Sequence, residues 1–282
     1  MWPYQLQCLP ERQRLGLLSE SRRRWIIRWL WATVVGPVKD STKTSTPAYK
    51  NENAWSDLGL TLPLFIGYHL CVVFLPIHNA ADWVTHQLAE LASNDLRVYV
   101  GLTLMMGMAL VATLMALGRG HSLRLARFVG IIVESMVYAV LLRVVASSVV
   151  GRLRLDATAT SAIEAVSASP FAGIVLSMGA GFYEELAFRV GLFAVLGRLV
   201  WLAFVATPLP FFKWVFWLGW ALFSAAVFSA WHHVGHFGEP FSLQAFVFRW
   251  VSGLVFTAIF AFRGFAPAVW THALYDIWVL VM

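Results

Sequence analysis

The sequence predicts an all-α protein, a polytopic transmembrane helical bundle of about seven spans and at most eight, and three observations carry that reading. Of its 282 residues, 59% are hydrophobic and only 13% charged, whereas soluble domains carry about a quarter charged residues. Mean hydropathy is +0.69. The apolar residues are gathered into stretches of the length, about 20 residues, that a helix needs to cross a bilayer.

Those stretches run, in order, over about 58–77, 98–118, 127–150, 171–196, 213–233, 244–262 and 265–282. Two further segments are shorter or interrupted. Trp25 to Val38 spans 14 residues and carries Arg28, so it reads as an amphipathic segment lying on the membrane. Gly191 to Phe212 is apolar but contains Pro208 and Pro210; it reads as the end of the fourth helix followed by a turn, and otherwise as an eighth crossing.

Charge sets the expected orientation. Residues 1–57 hold nine of the 21 Lys and Arg, including Arg22, Arg23 and Arg24, and Arg119, Arg124 and Arg127 follow the second span. Connections after the fourth and sixth spans hold Arg198, Lys213 and Arg263, while Ile77 to Asp95 has no Lys or Arg. The positive-inside rule then puts the N-terminus in the cytoplasm and the C-terminus outside. The net charge of +6 comes largely from a basic arm suited to anionic headgroups. That arm carries no nucleic-acid-binding motif, so a nucleic-acid partner is not expected.

Composition divides the chain in two. Residues 1–57 read as a basic cytoplasmic arm ending in a tether, Lys39 to Asp57, rich in Ser, Thr and Lys; residues 58–282 read as one integral domain. Cys8 and Cys71 form no metal or disulfide pattern. No signal peptide with a cleavage site opens the chain.

Ionisable groups inside the spans mark the site. Charged side chains at bilayer depth cost roughly 3 kcal/mol each on insertion scales, and they are found where they have partners and a function. The fourth span holds Glu184, Glu185 and Arg189, the fifth ends in His232 and His233 with His236 beyond, and the seventh holds His272 and Asp276. On an α-helix Glu185 and Arg189 share a face, where a charge-neutralising pair is natural, and Glu184 points about 100° away; one carboxylate can be held as structure while the other stays free, and a partly desolvated carboxylate suits a general base for water. His272 and Asp276, four apart, form an oriented acid–histidine pair. These groups suit either a bound metal or a metal-free water; spacing leaves both open.

The same residues resemble a known family. The chain is similar to the membrane-embedded proteases that group with the CAAX prenyl endopeptidases and the bacteriocin-processing and self-immunity proteins (CPBP or Abi). Its motifs occur in family order: Glu-Glu-x-x-x-Arg at Glu184, Glu185 and Arg189, Phe-x-x-x-His at Phe228 and His232, and a final His-x-x-x-Asn or Asp at His272 and Asp276. The resemblance covers about residues 165–282. It implies an intramembrane endopeptidase acting on a membrane-embedded or lipidated protein or peptide in a bacterial cell membrane. Glu184 would activate the water, His232 and His272 would complete the site, and Glu185 with Arg189 would brace it. The family's prenyl-processing branch carries Asn at the last motif, where this chain has Asp276; an ionised Asp cannot donate to an oxyanion.

The resemblance covers both metal-dependent and metal-free descriptions. The chain lacks His-Glu-x-x-His, the zinc helix signature, and the glutamate reading with no cofactor is favoured. If a divalent metal such as zinc is used, its candidate ligands are Glu184, His232 and His272. The rival function is a transporter or bacteriocin-immunity type binding protein using the same charges, although no second copy of the glutamate motif suggests a transporter repeat. Helix boundaries also set an expectation of their own. They put Glu184 and His272 near mid-membrane and His232 toward the outer end, and a separation above roughly 11 Å along the normal would count against one shared site.

Overall fold

The computed structural model describes residues 54–75, 79–93, 95–117, 125–153, 169–204, 210–235 and 238–281. Most of the basic arm, the Trp25–Val38 segment, Cys8 and His236 lie outside the described residues. Helices α1 (Ala54–Cys71), α2 (Val84–Leu91), α3 (Leu96–Leu117) and α4 (Leu125–Arg152) come first. They are followed by α5 (Pro170–Gly179), a π-helical segment (Ala180–Leu196), α6 (Gly197–Phe204), α7 (Pro210–Trp231), α8 (Leu243–Arg263) and α9 (Phe265–Val281). No strand occurs among the described residues.

Among the described residues six helices are long and apolar enough to cross a membrane, and the seventh expected span, α9, has 17 residues. At 1.5 Å per residue it reaches roughly 26 Å, a little short of a hydrocarbon core about 30 Å thick. The six long helices and the shorter apolar helix correspond to the seven expected stretches. α9 packs against α1, α4, α5, α8 and the π segment. Its small residues Ala266, Ala268 and Ala273 are fully buried, and small side chains are what let helix backbones approach closely in membranes.

The fourth span is longer than the predicted 171–196. Ser169 caps it, its hydroxyl accepting from Ala172 N at 3.5 Å, with Pro170 in the first turn, where the missing N–H costs nothing. The helix then continues through the π segment to Phe204, and Pro210 opens α7. The part of Gly191 to Phe212 before residue 205 is thus the end of the fourth span, and among the described residues the stretch adds no separate crossing.

One end of the bundle is tied by charge. Asp57 accepts from Arg127 Nη2 at 2.9 Å and from Phe265 N at 3.0 Å, joining α1, α4 and α9. Glu134 accepts from Arg263 Nε at 2.5 Å and Nη2 at 2.9 Å, joining α4 to α8. Glu134 is therefore structural, as its isolation from the motifs suggests, while Arg143 stacks over Trp278 at 4.8 Å. A single residue, Gly264, turns α8 into α9 with φ +100, and a Cβ there would meet Asp57 Oδ2 at 2.2 Å. Gly264→Ala is expected to cost at least about 1–3 kcal/mol, from backbone strain and the displaced Asp57, read as a lower unfolding temperature in detergent.

Large apolar side chains that remain exposed, such as Met105, Met108 and Met115 on α3 and Val129, Val133 and Val137 on α4, suit hydrocarbon contact in a chain whose helices satisfy their own backbone. The polar groups are gathered inside, between α1, the π segment, α7 and α9.

Candidate active site

The site begins with the backbone around the glutamate pair. The sequence reading places Glu184, Glu185 and Arg189 on an ordinary α-helix; Ala180–Leu196 is instead π-helical. The i→i+5 bonding of a π-helix is rare and is frequent at functional sites. Burial is unbroken from Gly179 through Glu185, so both carboxylates face the bundle interior and neither is turned to lipid. Leu186 and Ala187 then face outward, and Phe188 and Arg189 return inside.

Two helices carry the remaining motifs to this segment. α7 returns antiparallel to the π segment, and Phe188 meets Phe228 edge to face at 5.2 Å. Residues one turn further in opposite directions, Glu184 and His232, therefore meet as well. His232 Nε2 lies 3.6 Å from Glu184 Oε2, so the mismatch in level expected from the helix boundaries does not arise. On the other side, a Cβ at Gly181 would meet Val269 O and Ala273 Cβ at 2.8 Å. Only glycine lets α9 lie this close, and that approach puts His272 Nδ1 2.7 Å from Glu185 Oε1.

The resulting cluster is compact. Glu185 is fully buried; its Oε1 accepts from His272 Nδ1, and its Oε2 lies 3.1 Å from Arg189 Nε as an ion pair without hydrogen-bond alignment. Arg189 donates from Nη2 to Gly253 O at 3.4 Å and sits over the Phe228 ring at 4.2 Å and the Phe256 ring at 5.1 Å. These contacts are the expected brace, with two aromatic faces added. His272 stacks on Phe256 at 4.5 Å, and its Nε2 is 3.5 Å from Asp276 Oδ2 and 3.9 Å from Glu184 Oε2.

Hydrogen bonding assigns the protons. Phe228 O can only accept, so His232 Nδ1, 2.9 Å away, carries a hydrogen. His272 Nδ1 donates to the Glu185 carboxylate. Both Nε2 atoms consequently face Glu184 Oε2, which has no hydrogen-bond partner of its own. All six sequence-predicted residues (Glu184, Glu185, Arg189, His232, His272 and Asp276) are brought together. His233 is not one of the group: its Nδ1 donates to Glu239 O at 3.3 Å and its ring packs on Phe246.

The donor types could suit a metal. Two imidazoles whose far nitrogens are held by a carbonyl and a carboxylate, beside a carboxylate oxygen, are a familiar first- and outer-sphere pattern. The positions do not form a ligand set, since among the described residues no group of three or more His, Cys, Asp or Glu is arranged to hold a metal ion.

The sequence reading missed one close neighbour. Asn79, between α1 and α2, donates from Nδ2 to Glu184 Oε1 at 2.8 Å. No motif signals it, because a lone Asn in a connection is ordinary turn chemistry. A buried polar cluster behind it, Tyr68, His69, Asp82, Thr85 and Tyr183, was equally silent.

Comparison with known proteins agrees with the motifs. A family model described as type II CAAX prenyl endopeptidase Rce1-like matches residues 166–278, less than half of the chain but all three motif helices. No curated protein and no solved structure matches the chain.

Proposed function

We propose that this membrane protein, whose residues 166–278 match the family model of Rce1-like type II CAAX prenyl endopeptidases, hydrolyses a peptide bond of a membrane-associated protein or peptide, using Glu184 to activate water. The observation that carries the proposal is Glu184 Oε2, a buried carboxylate oxygen with no hydrogen-bond partner and with two imidazole Nε2 atoms at 3.6 and 3.9 Å. Polar separations beyond hydrogen-bond length invite a bridging water. A water there would give its proton to Oε2 as its oxygen attacks the carbonyl carbon.

The other residues take roles from their contacts. Three carboxylates, Glu184, Glu185 and Asp276, surround one guanidinium and His272, and buried charge needs compensation. A protonated His272 has an acceptor on each nitrogen, Glu185 Oε1 and Asp276 Oδ2. It can balance the site and donate to the oxyanion that forms on the carbonyl oxygen. Asp276 orients and charges His272, a role consistent with carboxylate in place of Asn. His232, fixed through Nδ1, accepts from the water at Nε2, and the proton that Glu184 Oε2 takes from the water is passed to the leaving amine as the peptide C–N bond breaks. Glu184, His232 and His272 are the side chains a divalent metal would have to draw on, and their positions do not form a ligand set. Our reading is metal-free, and cleavage by the purified protein is expected to survive dialysis against a strong zinc chelator, assayed beside the untreated enzyme.

The substrate approaches within the bilayer. By the positive-inside rule we read the N-terminal arm as cytoplasmic and the α1–α2 connection as external. The test is cleavage in proteoliposomes of two fluorogenic peptides, one farnesylated at a Cys-aliphatic-aliphatic-X terminus and one apolar but unprenylated. Cleavage lost in Glu184→Gln supports the proposal, and the two peptides separate a prenyl-directed enzyme from a general membrane peptidase. Proton flux that depends on Glu184, with neither peptide cut, would instead make the protein a transporter.

A further inference from the structure

We propose that Asn79 is a positioning residue for Glu184, so that the catalytic machinery extends beyond the three motif helices into the connection between α1 and α2; this rests on the endopeptidase reading above. Every other polar group of Asn79 is already committed. Its Oδ1 accepts from Ala81 N at 2.8 Å, its backbone N–H donates to Tyr68 Oη at 3.2 Å, and its carbonyl accepts from Asp82 N at 2.9 Å. The bond from Ala81 N also fixes which end of the amide is oxygen, leaving Nδ2 as the end aimed at Glu184.

Behind Asn79 stands a one-way hydrogen-bond network. Tyr68 Oη donates to Asp82 Oδ2 at 2.8 Å, and Thr85 donates both its hydroxyl, to Oδ2, and its backbone N, to Oδ1 at 3.0 Å. The Thr85 hydroxyl has spent its proton on Asp82, so it accepts from His69 Nδ1 at 3.2 Å. His69 Nε2 is then left to accept from Tyr183 Oη at 2.5 Å. Tyr183 immediately precedes Glu184. The network therefore holds Glu184 at two points, through its chain neighbour and through the Asn79 amide, and its members Tyr68, His69 and Tyr183 are almost wholly buried.

This wiring divides the labour between the two oxygens of Glu184. Oε1 is occupied by Asn79, and the carboxylate is prevented from rotating to use it elsewhere. Oε2 alone is presented to His232 and His272. Without the amide the carboxylate could swing about its last torsion, which has no strong intrinsic preference, and misplacement of a base by about 1 Å can cost on the order of 100-fold.

Two measurements on the full-length protein test this. Asn79→Asp keeps the oxygen that accepts from Ala81 N, hence the turn, but replaces the donor with an acceptor facing Glu184. It is expected to lower kcat on the cleaved fluorogenic peptide roughly 10- to 100-fold with little change in KM, and Asn79→Ala less severely, with unfolding temperatures near that of the unsubstituted protein. A kcat unchanged in Asn79→Asp while Glu184→Gln remains inactive would overturn the proposal and leave the endopeptidase reading standing. The second measurement needs no activity. The chain has four asparagines, at 51, 53, 79 and 94, so selective 15N-Asn labelling yields four side-chain amide pairs, with that of Asn79 assigned by its loss in Asn79→Ala. Glu184→Gln is expected to shift the Asn79 pair and leave the other three in place. An unmoved Asn79 pair would overturn the proposal even if no peptide were ever cut.

Discussion

Replacing Glu184 by glutamine is expected to lower peptide cleavage at least 100-fold and up to about 10,000-fold, the range over which a positioned base contributes, with KM little altered. Glutamine keeps the shape and its Oε1 can still accept from Asn79 Nδ2, so the bond at 2.8 Å survives. What is lost is the ability of the second position to take a proton from water. The comparison with Glu185→Gln is informative, because Glu185 is fully buried against Arg189 and His272. That variant should lose stability as well as rate, whereas Glu184→Gln should lose rate alone. Single-turnover cleavage of the fluorogenic peptides, with thermal unfolding recorded on the same preparations, separates the two. Cleavage by Glu184→Gln at the original rate would remove Glu184 from the chemistry.

Arg189→Ala is expected to be the most destabilising single substitution in the site, by about 3–5 kcal/mol. The guanidinium is 1% exposed and lies beside a Glu185 that is 0% exposed. Removing one member of a buried pair strands the other without compensation, which costs more than the pair itself contributes. Two aromatic faces, Phe228 and Phe256, also lose the cation they flank. Phe228 positions His232 and Phe256 stacks on His272, so cleavage should fall with stability. Arg189→Lys is expected to recover only part of the loss, since an ammonium cannot reach Glu185 and the Gly253 carbonyl with one planar fork. Thermal unfolding in detergent, with cleavage assayed well below the midpoint, provides the check.

Hydropathy alone was sufficient for the helical class and for most helix positions. Leu243–Arg263 and Phe265–Val281 fall within a residue of the predicted 244–262 and 265–282, because Gly264 interrupts two apolar runs and little else can end them. The fourth span was harder to bound. Its C-terminal half is apolar past the bilayer length, and only the prolines beyond it marked an end.

The site was legible to the extent that charge in an apolar segment is costly. Glu184, Glu185, Arg189, His232, His272 and Asp276 stand out for that reason, and their order on separate helices indicated convergence. Asn79, Tyr68, His69 and Thr85 were not legible, since polar residues near the end of a span are common and carry no penalty until they are buried together. The same holds for the π-helical turns from Ala180 to Leu196, which no propensity announces.

The sequence by itself thus determined that this is a helical membrane protein with a buried acid, base and histidine constellation, because insertion energy is a property of each segment taken alone. The i, i+4 spacing of Glu185 and Arg189 already indicated which carboxylate is braced, and only the tertiary structure decided how the remaining partners are divided between the two. That division depends on Gly181 admitting α9, on Phe188 meeting Phe228, and on Asn79 occupying one oxygen of Glu184. Those are contacts between segments far apart in the chain, and their energies depend on distance and direction, which residue spacing within one helix does not encode.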